Sequence, residues 1–172
     1  RRIDYLYDTL AKVQERLEGK EVTPGPLHRP EVAEAVLPAF RESMADDFNT
    51  AQVLGQLAEP FNLMNELCEK PPVKDKAQVV RTLARLRDDV LQVGKVLGLF
   101  ELEPRVYLDR RRERAAQQKG IDKQKVEALI QARADARRNK NFAEADRVRD
   151  ELKAMGVEIM DGPSGTTWKV LA

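Results

Sequence analysis

The sequence predicts a mostly helical fold, in which a four-helix bundle is followed by a small α+β unit of two helices and a β-hairpin. In the first hundred residues, apolar residues recur at spacings of three and four, which is the pattern of amphipathic helices. Residues 121–155 keep that pattern and add many cationic side chains. After Gly156, apolar and polar residues alternate around a Gly-Pro-Ser-Gly sequence, which indicates two strands joined by a turn.

The first two helices are separated by a loop of helix-breaking residues. Apolar residues from Ile3 to Leu17 form one helical stripe, which Gly19 ends. Thr23–Pro26 contains two prolines and a glycine and cannot continue a helix. Pro30 suits a first helical turn, and the second helix is predicted to run from there to about Met44.

Polar caps and a glycine delimit the third and fourth helices. Asn49 or Thr50 can cap the third helix, and Pro60 within its apolar pattern should kink it. Asp75 can cap the fourth helix, and Gly98 follows its last apolar residue, where glycine often ends a helix. We therefore assign residues 1–100 to the bundle.

Residues 101–120 offer little to bury, since Arg110–Arg114 and Gln117–Gly120 are almost entirely polar. We interpret this stretch as a hinged or partly disordered linker between two domains.

Residues 121–172 are predicted to form the second domain. Asp122 can cap its first helix and Asn141 its second, which Gly156 ends. The strand that follows is paired through the Gly162–Gly165 turn with a second strand.

Charge is divided unevenly along the chain. Residues 1–100 carry 14 Lys and Arg against 16 Asp and Glu, whereas residues 101–172 carry 16 against 13. A polyanionic partner would therefore meet the C-terminal half, although the excess is small.

The sequence contains no recognisable catalytic or metal-binding pattern. Cys68 is the only cysteine and His28 the only histidine. A single cysteine excludes an intrachain disulfide and favours a reducing, cytoplasmic location. We expect Cys68 to be a buried apolar residue and His28 a loop residue. Asp46 and Asp47 could act in acid–base catalysis or metal binding, but the favoured interpretation is that they cap the following helix and pair with its dipole. No apolar run is long enough to span a membrane, and the absence of a starting Met suggests a fragment.

Cationic, acidic and aromatic side chains are combined in the second domain. Its cationic cluster consists of Arg133, Arg137, Arg138, Lys140, Arg147 and Arg149. A solvated helix face is one interpretation of this cluster. Nucleic-acid binding is the other, because Asp146 and Asp161 could accept hydrogen bonds from bases, and Phe142 and Trp168 could stack on them unless they belong to the core. The mixture suits an unpaired RNA loop better than duplex DNA.

Two segments resemble cysteinyl-tRNA synthetase, a class I aminoacyl-tRNA synthetase. Phe40–Asn65, with Asp46-Asp47-Phe48-Asn49-Thr50 at its centre, is similar to the helical DALR domain of several class I synthetases. Ile121–Trp168 is similar in order and spacing to the anticodon-binding domain of cysteinyl-tRNA synthetase, for example at Asp161-Gly162-Pro163.

The resemblance implies recognition of the anticodon of cysteine tRNA. The family's contacts fall on Arg137, Phe142, Asp146 and Asp161, where Phe142 replaces a common tryptophan. To these we add Arg133, Arg138 and Trp168 as predicted anticodon-binding residues.

The resemblance also implies a parent enzyme, a cysteine–tRNA ligase whose catalytic domain uses ATP and zinc. None of that domain's motifs occurs in this sequence, so we expect no catalytic residue, metal or cofactor here. The expected partners are cysteine tRNA and the parent's catalytic domain. We expect no membrane binding, and we expect the protein to be a monomer. The alternatives are a non-enzymatic helical interaction scaffold and the corresponding bundle of another class I synthetase.

Overall fold

The computed structural model describes residues 2–72, 74–162 and 165–171. The chain divides into two compact units, Arg1–Leu108 and Asp109–Ala172, which are called unit 1 and unit 2 below. Helices make up all of the regular structure described in unit 1, and a β-hairpin completes unit 2. The predicted fold class is thereby confirmed.

Unit 1 is a helical bundle around one apolar core. Its helices are α1 (Arg2–Leu17), α2 (Pro30–Ala33), α3 (Val36–Ala45), α4 (Thr50–Gln56), α5 (Ala58–Glu69) and α6 (Lys76–Leu97). The long helix α6 packs against α1, α3 and α5. It contributes Leu83, Leu86, Val90 and Val93, all fully buried, and Phe61 of α5 meets them in the same core.

Two of the four predicted helices are each interrupted once. The second is broken by a turn at residues 34–35, and the third is broken at Leu57. Pro60 therefore does not kink a continuous helix. It lies in the first turn of α5, where a missing N–H leaves no intrahelical hydrogen bond unmade.

The predicted caps of unit 1 are partly correct. Asn49 caps α4, since its side chain accepts a hydrogen bond from the Gln52 N–H at 3.1 Å. Neither Asp46 nor Asp47 is the N-cap residue of that helix, so the capping predicted for these two residues was wrong, while their pairing with the helix dipole stays a prediction. Asp75 occupies the N-cap position of α6 with a left-handed backbone and makes no side-chain cap.

Helix α7 (Pro104–Gln118) occupies most of residues 101–120, the stretch predicted to be a hinged or partly disordered linker. Near its start, the Tyr107 ring stacks on that of Tyr7 with centroids 3.8 Å apart, and the Tyr107 hydroxyl donates to Asp4 at 2.9 Å. Near its end, Ala116 is buried in the core of unit 2. A few isolated residues anchor this helix, too few to produce an apolar stripe. A linker role between separately folding domains stays a prediction.

Unit 2 packs a helical hairpin against a two-stranded sheet. Its elements after α7 are α8 (Lys123–Arg138), α9 (Phe142–Ala154), β1 (Val157–Gly162) and β2 (Gly165–Val170). The strands are antiparallel, with Val157 opposite Val170 and Asp161 opposite Thr166. Pro163 and Ser164 of the predicted turn lie outside the described residues.

Side chains cap both helices of this hairpin as predicted. Asp122 accepts hydrogen bonds from the backbone N–H groups of Gln124 and Lys125, and Asn141 accepts one from Glu144. The core between helices and sheet consists of Ala116, Val126, Val148, Leu152, Val157 and Trp168.

We predict that Ala116→Glu destabilises unit 2 by about 2–3 kcal/mol, because a longer, charged side chain would have to enter the core position that the Ala116 methyl group fills. The adjacent exposed residue provides a matched control, and Gln117→Glu should change stability by no more than about 0.5 kcal/mol. Trp168 is the only tryptophan of the chain and lies in the same core, so its fluorescence during urea unfolding reports on unit 2. Equal effects of the two substitutions would contradict the placement of α7.

Candidate nucleic-acid interface

The turn between α8 and α9 presents an exposed aromatic ring beside cationic residues. The turn is short, because the Asn141 N–H donates to the Ala136 carbonyl at 2.8 Å and Asn141 caps α9 directly. Lys140 within it has a left-handed backbone, with φ of 57°. Phe142 is the first residue of α9 and is 62% exposed, an unusual fate for a phenylalanine. This exposed ring satisfies the first requirement of base stacking.

Asp161 is the centre of a network of charged hydrogen bonds. Arg133 on α8 binds it bidentately, with Nη1–Oδ1 at 3.0 Å and Nη2–Oδ2 at 2.9 Å. Arg137, one helical turn further along α8, donates from Nη1 to Oδ2 at 2.9 Å. The Thr166 hydroxyl donates to Oδ1 at 2.7 Å from the opposite strand.

The pleat of β1 explains why Asp161 meets these partners. Side chains alternate between the two faces of a strand, so Asp161 continues the row of Val157 and Ile159 that faces the helices. From the sequence alone, the Gly162-Pro163 turn after Asp161 predicts a carboxylate that faces outward. In the structure the carboxylate binds Arg133 instead.

The network changes the protonation equilibria of its members. The hydrogen bonds from Arg133 and then Thr166 hold the pKa of the Asp161 carboxyl well below its ordinary value of 3.8. The hydrogen bond to Asp161 likewise raises the pKa of Arg133 above its ordinary value. Asp161 is therefore a fixed negative charge at neutral pH.

The remaining predicted site residues of α8 and α9 are exposed. Arg138 pairs with Asp135 at 3.4 Å, and its side chain is 74% exposed. Asp146 lies on α9, where it pairs with Arg149 at 3.8 Å. The structure brings Arg133, Arg137 and Asp161 into direct contact. Arg138 and Asp146 pair with neighbours in their own helices, and after the hydrogen bond to Asp161 the negative charge of Asp146 also helps to raise the pKa of Arg133.

Trp168 belongs to the core, which corrects its inclusion among the anticodon-binding residues. Only 5% of the residue is exposed, and it packs with Val157 and Leu152. The guanidinium of Arg112 lies 5.0 Å from the ring centroid, in the range of a cation–π contact. A base has no access to a ring enclosed in this way.

Sequence reasoning missed Thr166 and Arg112. Thr166 could have been found, because a hairpin with the predicted turn places it opposite Asp161. Arg112 could not, because it lies in the stretch interpreted as a linker.

No group of His, Cys, Asp and Glu among the described residues could hold a metal ion. Cys68 is half-buried against the core of unit 1, and burial raises the pKa of its thiol to about 11. His28 lies in the loop between α1 and α2, where its backbone N–H donates to the Thr82 hydroxyl at 2.7 Å. In the part of the chain that the structure describes, no helix is long and apolar enough to cross a membrane.

Two family models match the chain, one in each unit. The model of the DALR domain matches residues 39–101, and the model of the cysteinyl-tRNA ligase anticodon binding domain matches residues 123–168. A DALR bundle followed by an anticodon-binding domain defines the C-terminal region of an aminoacyl-tRNA ligase.

Curated relatives identify the family within that class. Cysteine–tRNA ligase of Anaeromyxobacter sp. (strain Fw109-5) is 44% identical over 170 residues, covering 99% of this chain and 34% of the relative. That of Geobacter metallireducens is 40% identical over 172 residues, covering 98% and 35%. The chain belongs to the cysteine–tRNA ligase family and spans about a third of the length of these relatives, their C-terminal part.

We predict that Asp161→Asn makes the stability of unit 2 less dependent on acid. A carboxyl with a depressed folded-state pKa stabilises the fold above its unfolded-state pKa, and this contribution is lost as pH falls from about 5 towards 2. The thermal midpoint of the wild-type chain, followed by Trp168 fluorescence, should fall more steeply over that range than the midpoint of the variant. Parallel declines would contradict the Asp161 network.

Proposed function

We propose that this chain is the tRNA-binding C-terminal region of a cysteine–tRNA ligase and that unit 2 recognises the anticodon of cysteine tRNA. The observation that carries the proposal is the contact between Arg137 and Asp161 within the segment that matches an anticodon-binding domain. This contact places a donor and an acceptor side by side at an exposed edge, beside the α8–α9 hairpin that carries Phe142.

These groups match the chemistry of unpaired bases. A carboxylate repels phosphate, but it can accept a hydrogen bond from the guanine N1 and N2 groups or from cytosine N4. An arginine can donate to the acceptors of the same bases. Phe142 and the cations Arg138 and Lys140 would supply stacking and phosphate contacts. Cysteine tRNA presents guanine and cytosine in its anticodon, as the family resemblance implies.

The parent protein would ligate cysteine to its tRNA with ATP. The catalysis, ATP and zinc belong in this proposal to a catalytic domain that precedes the residues of this chain. In this proposal the partners of the chain are that catalytic domain and cysteine tRNA. The parent protein would be a cytoplasmic monomer that does not bind a membrane. The residues of this chain would contribute binding and specificity rather than bond formation.

The test is binding of the chain to the anticodon stem-loop of cysteine tRNA and to loops with each anticodon base replaced. We expect tighter binding of the cognate loop, because Asp161 and Arg137 contact base edges. Equal binding of all loops would favour an interaction scaffold with a solvated cationic face. Preference for the loop of another tRNA would favour a different class I synthetase.

We predict that Arg138→Gln combined with Lys140→Gln weakens binding of cognate and substituted loops alike. If both cations contact phosphates, the slope of log K against log salt should decrease by about 1.4, or roughly 0.7 for each contact. Arg41→Gln combined with Lys95→Gln removes the same charge from exposed positions of unit 1 and is the control. An unchanged slope in the Arg138→Gln, Lys140→Gln variant would mean that these two residues form a solvated surface and do not contact phosphates.

We also predict that Phe142→Ala costs about 1–3 kcal/mol of loop binding with little loss of stability, since the ring is exposed and contacts a base rather than the core. Phe142→Leu keeps an apolar side chain without an aromatic face and should lose most of the same affinity. Anisotropy titration measures binding, and Trp168 fluorescence measures stability. Full affinity of Phe142→Leu would show that stacking is not involved.

A further inference from the structure

The Asp161 carboxylate has no acceptor position left unoccupied in the structure. A carboxylate offers two oxygens with about four lone-pair positions. Oδ1 accepts from Arg133 Nη1 and the Thr166 hydroxyl, and Oδ2 accepts from Arg133 Nη2 and Arg137 Nη1. A base donor can therefore reach this carboxylate only if one of the present donors leaves.

The three donors differ in how firmly they are held. The Arg133 side chain is only 12% exposed and makes two parallel hydrogen bonds, the strongest geometry available to this pair of groups. Thr166 is fixed opposite Asp161 by the pairing of β1 and β2. Arg137 makes one hydrogen bond from a side chain that is 52% exposed. An exposed ion pair of this kind contributes little to stability, so Arg137 is the donor that is easiest to displace.

We propose that Arg133 is a positioning residue that, with Thr166, fixes the Asp161 carboxylate, and that Arg137 holds the position on Oδ2 which a base donor takes over. This inference rests on the proposed anticodon recognition. Arg137, once displaced, still lies beside the base and donates to an acceptor on the same base. The internal pair of donor and acceptor is thus exchanged for two contacts with one base.

The exchange gives discrimination against wrong bases. A base with an adjacent donor and acceptor can bind both Asp161 and Arg137, so the hydrogen bond lost between these two residues is replaced by two hydrogen bonds to the base. A base with two acceptors or a misplaced donor leaves either Asp161 or Arg137 without a hydrogen-bond partner, and the hydrogen bond between Arg137 and Asp161 is then preferred. Arg133 acts through Asp161 in this scheme and does not contact RNA. This differs from the sequence-based prediction that Arg133 is itself an anticodon contact.

The test measures discrimination, defined as the Kd for a loop with the contacted base replaced divided by the Kd for the cognate loop, using the full chain. Arg133→Lys keeps the charge but loses the bidentate geometry, and we expect discrimination to fall about 5- to 100-fold with little change for the substituted loop. Arg41→Lys makes the same chemical change at an exposed position of unit 1, outside the proposed site, and is the control that should leave discrimination unchanged. Adding Arg133→Lys to Asp161→Asn should have no further effect on discrimination.

A second pair of variants tests positioning without changing any charge. Thr166→Val removes the hydroxyl donor to Oδ1 and should also lower discrimination, whereas Thr166→Ser keeps it and should restore the wild-type value. Trp168 fluorescence verifies that each variant is folded.

Three results would overturn the inference. A loss from Arg133→Lys that persists in the Asp161→Asn background would mean that Arg133 contacts RNA. Arg133→Lys could weaken the binding of cognate and substituted loops equally, and Thr166→Val and Thr166→Ser could show the same discrimination. These two results together would mean that Arg133 and Thr166 only stabilise the fold. Absence of discrimination in the wild-type chain would overturn the proposed function, and this inference with it.

Discussion

The bidentate ion pair between Arg133 and Asp161 is the interaction on which the candidate site depends. It joins α8 to the end of β1, and it decides where a carboxylate stands in a region otherwise dense in cations. Because α8 brings Arg137 to the same carboxylate one turn later, the helix provides both a largely enclosed anchor and an exposed donor. The proposed exchange needs one fixed and one displaceable partner, and two arginines four residues apart supply them.

Unit 2 has a small core, and this explains why α7 matters to it. The sheet has two strands, and it contributes only Val157 and Trp168 to the buried core of unit 2. Ala116 and the Arg112 guanidinium over Trp168 complete the enclosure from α7. A polar helix can contribute in this way because one small apolar residue and one stacked cation suffice at the margin of a core. The site residues on α8 are therefore carried by a hairpin packed on both the sheet and α7.

Much of the fold could be predicted from the sequence, because its signals are local. The helical stripes, the caps Asn49, Asp122 and Asn141, and the hairpin after Gly156 all follow from short-range chemistry. The shared face of Arg133 and Arg137 is equally local. The breaks at residues 34–35 and Leu57 were missed because both lie within continuous apolar patterns. Helix α7 was missed because tertiary contacts, rather than periodicity, stabilise it.

The candidate site was predicted in composition but not in arrangement. That Asp161 faces α8 depends on the strand's pleat together with its packing, and the burial of Trp168 depends on the same row. Arg133 and Asp161 lie 28 positions apart, and a hydrogen bond over that separation cannot be predicted from the local pattern of a single sequence.

The most direct test of the account is NMR spectroscopy of the arginine side chains during titration with the cognate anticodon stem-loop. In the free chain, the guanidinium groups of both Arg133 and Arg137 should show hindered rotation from their hydrogen bonds to Asp161. At saturation, Arg133 should keep this signature and its contact with Asp161, while Arg137 shows a new partner. Retention of both contacts in the complex, or the departure of Arg133 instead of Arg137, would contradict the account.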